Sequence, residues 1–199
     1  VAEKVDLVGN AQLLRLALER RPFRPVSRQH QRQPVPLRRD LADRLEHQAA
    51  QLKRRFAEAF TLSDGQIAMA LDGEKRAVDT VGSNAGHCLW SGIVEPGAAA
   101  TAVANGLGSV AMSSGWGIRT LAADQPGYNP IGYHTGTVWP HDTAIAAAGA
   151  RRYGFDAIGG RLSGDLLAAA HHFPAYRLPE LFCGFDRAST GAPVAYPVA

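Results

Sequence analysis

The sequence predicts an all-α protein built of antiparallel helical hairpins, with long loops on one side. Apolar residues recur every three or four positions from Leu41 to Ala59, which is typical of an amphipathic helix. Two Ala-rich stretches, Asp142 to Tyr153 and Asp156 to His171, read as helices and are separated by little more than Gly154-Phe155. A joint this short makes them antiparallel neighbours.

The composition indicates a globular chain of one domain. It has 199 residues, of which 46% are hydrophobic and 20% are charged. A chain of this size buries roughly 70% of its unfolded surface, which is enough for a hydrophobic core. The formal net charge of +3 is too small to indicate a nucleic-acid partner by itself. No apolar run approaches the roughly 20 residues that span a bilayer, so we expect no membrane segment.

The first 39 residues differ in character from the rest. Val1 to Leu18 has interleaved acids and no signal-peptide pattern, and the chain has only two cysteines, so we expect a reduced, cytoplasmic protein. Arg20 to Arg39 holds seven arginines and four prolines but no acid. The prolines exclude a continuous helix, and the composition favours a disordered linker. A basic arm for nucleic acid or acidic lipid is the alternative, although aromatic residues are nearly absent. We predict an irregular segment 1–39 and a folded domain 40–199.

Shorter elements follow the amphipathic helix. Gln66–Leu71 and Arg76–Val81 flank an Asp-Gly turn and predict a short hairpin or an extended excursion. Ser83 is a suitable cap for a helix that ends near Trp90. Pro96 suits the first turn of another helix, which reaches Asn105 and closes at Gly106. The stretch 108–140 is long and irregular but rich in aromatic residues, and loops of this length inside a domain are usually functional or disordered.

The candidate binding and catalytic residues lie in loops. The stretch Gly132–Asp142 concentrates His134, His141, Asp142, Trp139 and Tyr133 between glycines, directly before a helix. Metal binding is disfavoured because no His-x-x-x-His or Cys-x-x-Cys pair is present. Catalysis by the Cys88 thiol beside His87 is even less favoured than metal binding, since adjacent residues on a helix do not face each other.

A carbohydrate-binding site agrees better with these aromatic and polar side chains. A sugar site needs flat aromatic faces for the ring and polar groups for the hydroxyls. The candidates are Trp90, Trp116, Trp139, Tyr133, Arg119, His87, His134, His141 and Asp142. Glycoside hydrolysis also needs two carboxyl groups, and the loops offer Asp124, Asp142, Glu180 and Asp186.

Glu180 stands out among these acids because it lies between Pro179 and the apolar Leu181-Phe182, surroundings that would hold a carboxylate in a fixed position. Each candidate has a structural alternative. Asp142 is also suited to the first turn of a helix, where the dipole favours an acid. A core position is favoured for Trp90 on its apolar helix face, and a site position for the loop residues Trp116 and Trp139, which lie among glycine and proline. Glu180 is also suited to a structural ion pair.

Several of these segments occur together, in the same order, in a known family. They are Val78–His87, Ser114–Thr120, Tyr128-Asn129-Pro130, Tyr133-His134 with Trp139–Asp142, and Arg177–Gly184. Over Asp40–Ala199 the chain resembles the C-terminal catalytic domain of the bacterial glycogen-debranching, amylo-α-1,6-glucosidase-like family. That family belongs to the six-hairpin glycosidases, which include glucoamylases and trehalases.

The resemblance implies a fold and a reaction. The fold is an (α/α)6 toroid with the site at one end, and the reaction is an inverting hydrolysis of α-glucosidic linkages in glycogen-like or other α-glucans, without a cofactor. The resemblance makes Glu180 the general base. It assigns substrate binding to His87, Trp116, Arg119, Tyr133, His134, Trp139, His141 and Asp142.

The chain also departs from the family pattern. Thr135, Thr137 and Thr143 replace an Asn, a Ser and an Asn, which would weaken sugar hydrogen bonds. The family's general acid lies in an earlier Trp-x-Asp-type motif that is not found upstream of Asp40. Only five clear helices are predicted, against the twelve of six hairpins, so we expect a partial toroid that is weakly active or inactive alone and prone to self-association. The alternative is a non-catalytic carbohydrate-binding or scaffold fragment.

Overall fold

The computed structural model of the chain describes residues 36–197. The predicted irregular segment 1–39 lies outside the described residues, except for its last four, which are helical. The first helix begins at Pro36 rather than Asp40. Proline is tolerated in the first helical turn because its missing N–H would have no intrahelical partner there.

Helices dominate the described part of the chain, so the predicted all-α class is confirmed. Between residues 36 and 197 there are six α-helices, one 3₁₀ turn (Pro174–Tyr176) and one two-stranded ribbon. The helices are α1 (Pro36–Phe60), α2 (Asn84–Ser91), α3 (Ala98–Leu107), α4 (Pro140–Arg152), α5 (Asp156–Ala170) and α6 (Arg187–Thr190). The strands are β1 (Ala70–Leu71) and β2 (Ala77–Val78).

The ribbon confirms the predicted hairpin. β1 and β2 are antiparallel, with Ala70 opposite Val78 and Leu71 opposite Ala77. Asp72 holds the turn, since its carboxylate accepts hydrogen bonds from the backbone N–H groups of Glu74 and Arg76 and from Nε of Arg76. The Arg76 side chain, followed by these backbone N–H groups, lowers the pKa of Asp72 below its ordinary value.

The predicted position of Ser83 at the N-cap of α2 is confirmed, although its side chain makes no capping hydrogen bond. Both predicted ends of α3 are wrong by one or two residues. α3 starts at Ala98 rather than at Pro96, because Gly97 at its N-cap has a φ of 125° that interrupts the helical path. α3 also continues through Gly106 and ends at Leu107, with Gly108 as its C-cap.

The core forms where α2, α3, α4 and α5 meet. α4 and α5 pack against each other as predicted, and α2 packs against both α3 and α4. Leu89, Val103, Ala146 and Leu162, one from each helix, are fully buried in one cluster. A second, smaller cluster contains Ala169 of α5 and the loop residues Trp116, Val138 and Phe182. None of the helices described between residues 36 and 197 has the length and apolar character needed to cross a membrane.

Small residues let α2 and α4 approach closely. A Cβ atom added to Gly149 would lie 2.7 Å from the backbone N of Trp90 and 2.9 Å from the backbone O of Gly86. Backbone atoms cannot move aside as a flexible side chain does, so a methyl group at this position would force the helices apart.

We therefore expect Gly149→Ala to lower the free energy of unfolding by about 1–3 kcal/mol, the usual cost of overpacking. Urea denaturation followed by circular dichroism measures the change. Gly160→Ala is the matched control, because nothing lies within 4 Å of a Cβ at that position of α5. The control should gain about 0.5–1 kcal/mol from the higher helix propensity of alanine. Equal effects of the two substitutions would contradict the close approach.

Candidate functional site

Backbone bridges connect the loops that contain the family-like segments. Gly82 is bridged to Leu121, and Arg119 is bridged to Val138. Val138 is also paired with Phe182 through two hydrogen bonds, of 2.9 and 3.0 Å. Segments far apart in sequence are thus aligned side by side, which places the ends of α2 and α4 around a common opening.

A cavity of about 440 Å³ lies at this opening. Its size falls within the range of small-molecule sites. Its lining comes from the residue before β1, from the start of α2 and α4, and from the loops between these helices. The lining residues are Met69, Ser83, Asn84, His87, Thr120, His134, Trp139, His141 and Asp142. Five predicted substrate-binding residues, His87, His134, Trp139, His141 and Asp142, therefore share one cavity.

Trp139 is the centre of an aromatic cluster at the cavity. His134 stacks on it, with ring centroids 5.5 Å apart and an interplanar angle of 15°. Tyr133 and His141 meet it edge-on, at 4.9 and 5.7 Å. The indole Nε1 donates hydrogen bonds to the backbone O of Tyr133 and to Oγ1 of Thr137, at 3.1 and 3.0 Å. These bonds and contacts hold the indole in one orientation.

His87 and Asp142 form the polar side of the cavity. Nε2 of His87 lies 2.6 Å from Oδ1 of Asp142, and their side chains are 45% and 12% exposed. An ionised carboxylate only accepts hydrogen bonds, so Nε2 carries the proton in this pair. Asp142 also lies in the first turn of α4, where the helix dipole favours an acid. Both interpretations of Asp142, as a site residue and as a first-turn acid, are therefore compatible with its position.

Glu180 lies beside the cavity rather than in its wall. Its carboxylate is exposed, whereas the next two residues, Leu181 and Phe182, are buried. The hydroxyl of Tyr133 donates to Oε1 of Glu180 at 3.4 Å. Desolvation, followed by the negative charge of Glu180, raises the pKa of Tyr133 and keeps its hydroxyl protonated. Tyr133 thus connects the aromatic cluster to the carboxylate.

Trp116 is placed differently from its predicted role beside the substrate. It is 1% exposed and belongs to the smaller core cluster. Its ring is covered by the guanidinium group of Arg187, 4.4 Å from the centroid, and by the edge of His172. The Gly-Trp-Gly context suggested an exposed platform, but long-range packing buries the indole.

Arg119 is likewise interior, at 1% exposure, and makes hydrogen bonds to the protein rather than lining the cavity. Its Nε donates to the backbone O of Gly184 at 2.8 Å and to the Tyr128 hydroxyl at 3.1 Å. Nη1 donates to the carbonyl groups of Val110, Ala111 and Ser113. Nη2 is paired with Asp186 Oδ1 at 2.6 Å. The predicted sugar contact is therefore replaced by a role in joining loops.

Two of the threonines that replace other residues of the family pattern are interior too. Thr137 and Thr143 are both 0% exposed. The hydroxyl of Thr137 donates to the backbone O of Tyr133, and Oγ1 of Thr143 accepts from the N–H of Ile118. These hydroxyl groups hold the loops around the site, so the expected loss of sugar hydrogen bonds does not follow from these two positions. Trp90, for which a core position was favoured, is 52% exposed and does not line the cavity.

Four lining residues were missed as site candidates. Ser83, Asn84 and Thr120 lie inside family-like segments, so proximity to a motif was the available signal. Met69 had no such signal, because the hairpin that carries it reaches the cavity only through tertiary packing. The amide of Asn84 donates to the backbone O of Met69 at 3.2 Å and fixes that approach. Within residues 36–197, no group of three or more His, Cys, Asp or Glu side chains is placed to hold a metal ion.

Comparison with known proteins gives a matching family and several similar solved structures, of which two follow. The family described as the mannosylglycerate hydrolase MGH1-like glycoside hydrolase domain matches residues 37–191. No curated protein sequence matches the chain. A GH63 mannosylglycerate hydrolase from Thermus thermophilus, solved in complex with glucose, has 22% identity and a TM-score of 0.48, over 62% of this chain and 29% of that one. An uncharacterized conserved protein from the same organism has 22% identity and a TM-score of 0.48, over 59% of this chain and 27% of that one.

The chain thus spans less than a third of the length of either solved protein. Its helical architecture agrees with the predicted part of an all-α glycosidase toroid. The predicted resemblance is confirmed at the level of a glycoside hydrolase domain, whereas glycogen debranching finds no support in these matches. Because the family match extends over most of the described residues, the chain belongs to the MGH1-like glycoside hydrolase domain family.

Proposed function

We propose that this chain carries the sugar-binding and water-activating part of an inverting glycoside hydrolase site. The observation that carries the proposal is the arrangement at the cavity. An ordered indole, a stacked histidine and a His–Asp pair share one opening, and a carboxylate lies one tyrosine away. This is the combination that a pyranose ring, its hydroxyl groups and an attacking water require.

The sugar is expected to bind between Trp139 and the His87–Asp142 pair. The exposed part of the indole offers an apolar face to the ring carbons. Asp142 accepts a hydrogen bond from a hydroxyl group through an oxygen that His87 does not use, and His141 at the rim adds a further polar group. A cavity of about 440 Å³ has room for a terminal hexose and a small aglycone.

Glu180 is proposed as the general base. Its exposed carboxylate accepts a proton from water, and the Tyr133 hydroxyl orients it through Oε1. Inverting hydrolysis also needs an acid to protonate the leaving oxygen, with a water between the acid and the base. We propose that this acid comes from a segment outside residues 36–197.

Two substrate classes follow from the findings. The family name points to mannosylglycerate, a mannose joined to a small acid. The sequence resemblance points to α-glucosidic linkages in α-glucans. Both present a terminal hexose, so the proposed mechanism holds for either, and assays of mannosylglycerate, maltotriose and an α-1,6-branched glucan separate them.

The binding part of the proposal predicts that Trp139→Ala weakens sugar binding by about tenfold or more, equivalent to at least about 1.4 kcal/mol. The reason is that the substitution removes the apolar face and leaves His134 without its stacking partner. Calorimetric titration of the chain with mannosylglycerate and with maltotriose measures the change. Trp90→Ala is the matched control, since Trp90 is exposed but lies outside the cavity wall.

Equal affinity of the two tryptophan variants would contradict the proposed site. Sugar binding without any hydrolysis that depends on Glu180 would favour the alternative, a carbohydrate-binding fragment without catalysis. The absence of binding to both sugar classes would contradict both functions.

A further inference from the structure

A second cavity, of about 520 Å³, lies where the loop after α3 meets α5 and α6. Arg161 and Arg187 both line it, together with Ser113 and Asp186, and it shares no lining residue with the first cavity. We propose that this cavity binds a small oxyanion, namely a phosphate or carboxylate group. The proposal does not depend on the glycosidase function.

The guanidinium group of Arg187 is already held in place. Its central carbon lies 4.4 Å from the centroid of the buried Trp116 ring. A cation–π contact of this kind restrains the planar group while leaving the N–H donors at its edge available. None of these donors is hydrogen-bonded to a residue of the described chain, so an anion would meet an ordered group with free N–H bonds.

Arg161 supplies a second ordered cation. From the exposed side of α5, its Nη2 donates to the backbone O of Gly108, which orients the guanidinium group toward the loop. One bond uses only one of its five N–H groups. The hydroxyl of Ser113 accepts the N–H of Gly115, while its own O–H donates to no residue between 36 and 197. The cavity therefore combines two cations with a neutral donor.

The charge balance also favours an anion. No carboxylate of the described residues forms an ion pair with Arg161 or Arg187. The carboxylate of Asp186 is already paired with Arg119. Asp165 is close enough for both arginines to act on its charge, although burial is the larger influence and raises its pKa, and its Oδ2 has no hydrogen-bond partner among the described residues. Neither guanidinium group therefore has a direct ion-pair partner in residues 36–197, and a bound oxyanion would supply one through charge-assisted hydrogen bonds.

Calorimetric titration of the chain with sodium phosphate and, separately, with sodium acetate at constant ionic strength tests the proposal. We expect saturable binding of at least one anion, and the two arms distinguish a phosphate site from a carboxylate site. Arg187→Gln and Arg161→Gln should each weaken binding about tenfold or more. Arg54→Gln removes the same charge from an exposed position on α1 and should leave the affinity unchanged.

Two further variants guard against a simple folding defect. Arg187→Lys keeps the charge but loses the planar fork, so its affinity should fall between those of the original chain and Arg187→Gln. Asp165→Asn removes a negative charge near both arginines and should tighten binding several-fold, a gain that damage to the fold would not produce. Absence of saturable binding up to about 10 mM of either anion, or equal affinities of the Arg54 and Arg187 variants, would overturn the proposal.

Discussion

Replacing Glu180 with glutamine is expected to lower the hydrolysis of a glycosyl fluoride by about 10²- to 10⁴-fold, the usual contribution of a general base. The amide has nearly the same shape but cannot accept a proton from water. Because Glu180 is exposed, the fold should not be affected. Fluoride is a weakly basic leaving group that departs without protonation, so the assay depends on the base and not on a general acid.

The assay uses α-mannosyl and α-glucosyl fluoride, with fluoride release and the anomeric form of the product as readouts. Asp124→Asn is the matched control, since it removes another loop carboxylate whose side-chain bond is to the neighbouring Gln125. Tyr133→Phe should give a smaller loss, because it keeps the base and removes only the hydroxyl that orients it. Equal rates for Glu180→Gln and the original chain, or a product that retains its anomeric configuration, would contradict the proposed role.

The site residues that were predictable from the sequence are those that lie close to one another along the chain. His134, Trp139, His141 and Asp142 lie within nine residues of one another and precede a helix, so their proximity follows from chain connectivity. Helix existence was predictable for the same reason, since periodicity and composition act within one segment. The ends of α3 were not, because Gly97 interrupts the helical path after Pro96, and such a backbone angle is not visible in an apolar pattern.

The residues whose positions were not predictable from the sequence are those placed by contacts with distant segments. Trp116 lies between two glycines, which suggested an exposed loop, yet it is covered by Arg187 and His172, residues at least 56 positions away. Burial of an aromatic side chain depends on which segments pack over it, and a single sequence does not state that. Met69 shows the converse case, since an ordinary hairpin residue reaches the cavity through the amide of Asn84.

Replacement of Arg119 with methionine is expected to lower the free energy of unfolding by about 2–4 kcal/mol, because several hydrogen bonds from a buried charged group are lost at once. Methionine fills similar space but supplies no donor. The carbonyl group of Ser113 would then lose its hydrogen bond to the protein, whereas those of Ala111 and Gly184 would each keep one, from the N–H of Ala123 and the hydroxyl of Tyr128. Buried polar groups without a partner cost about 1–3 kcal/mol each, which is why the loss should exceed that of one surface ion pair.

Comparison with Asp186→Asn separates the network from the ion pair. The side chain of Asp186 is 60% exposed, and its replacement leaves every carbonyl bond of Arg119 in place, so a loss of about 1 kcal/mol or less is expected. Arg119→Lys should lie between the two, since an ammonium group keeps the charge but not the five-donor fork. Urea unfolding measures all three. If Arg119→Met lowers the free energy of unfolding by no more than Asp186→Asn does, the hydrogen bonds of Arg119 do not stabilise the loops around the cavity. Backbone pairing alone would then hold these loops together.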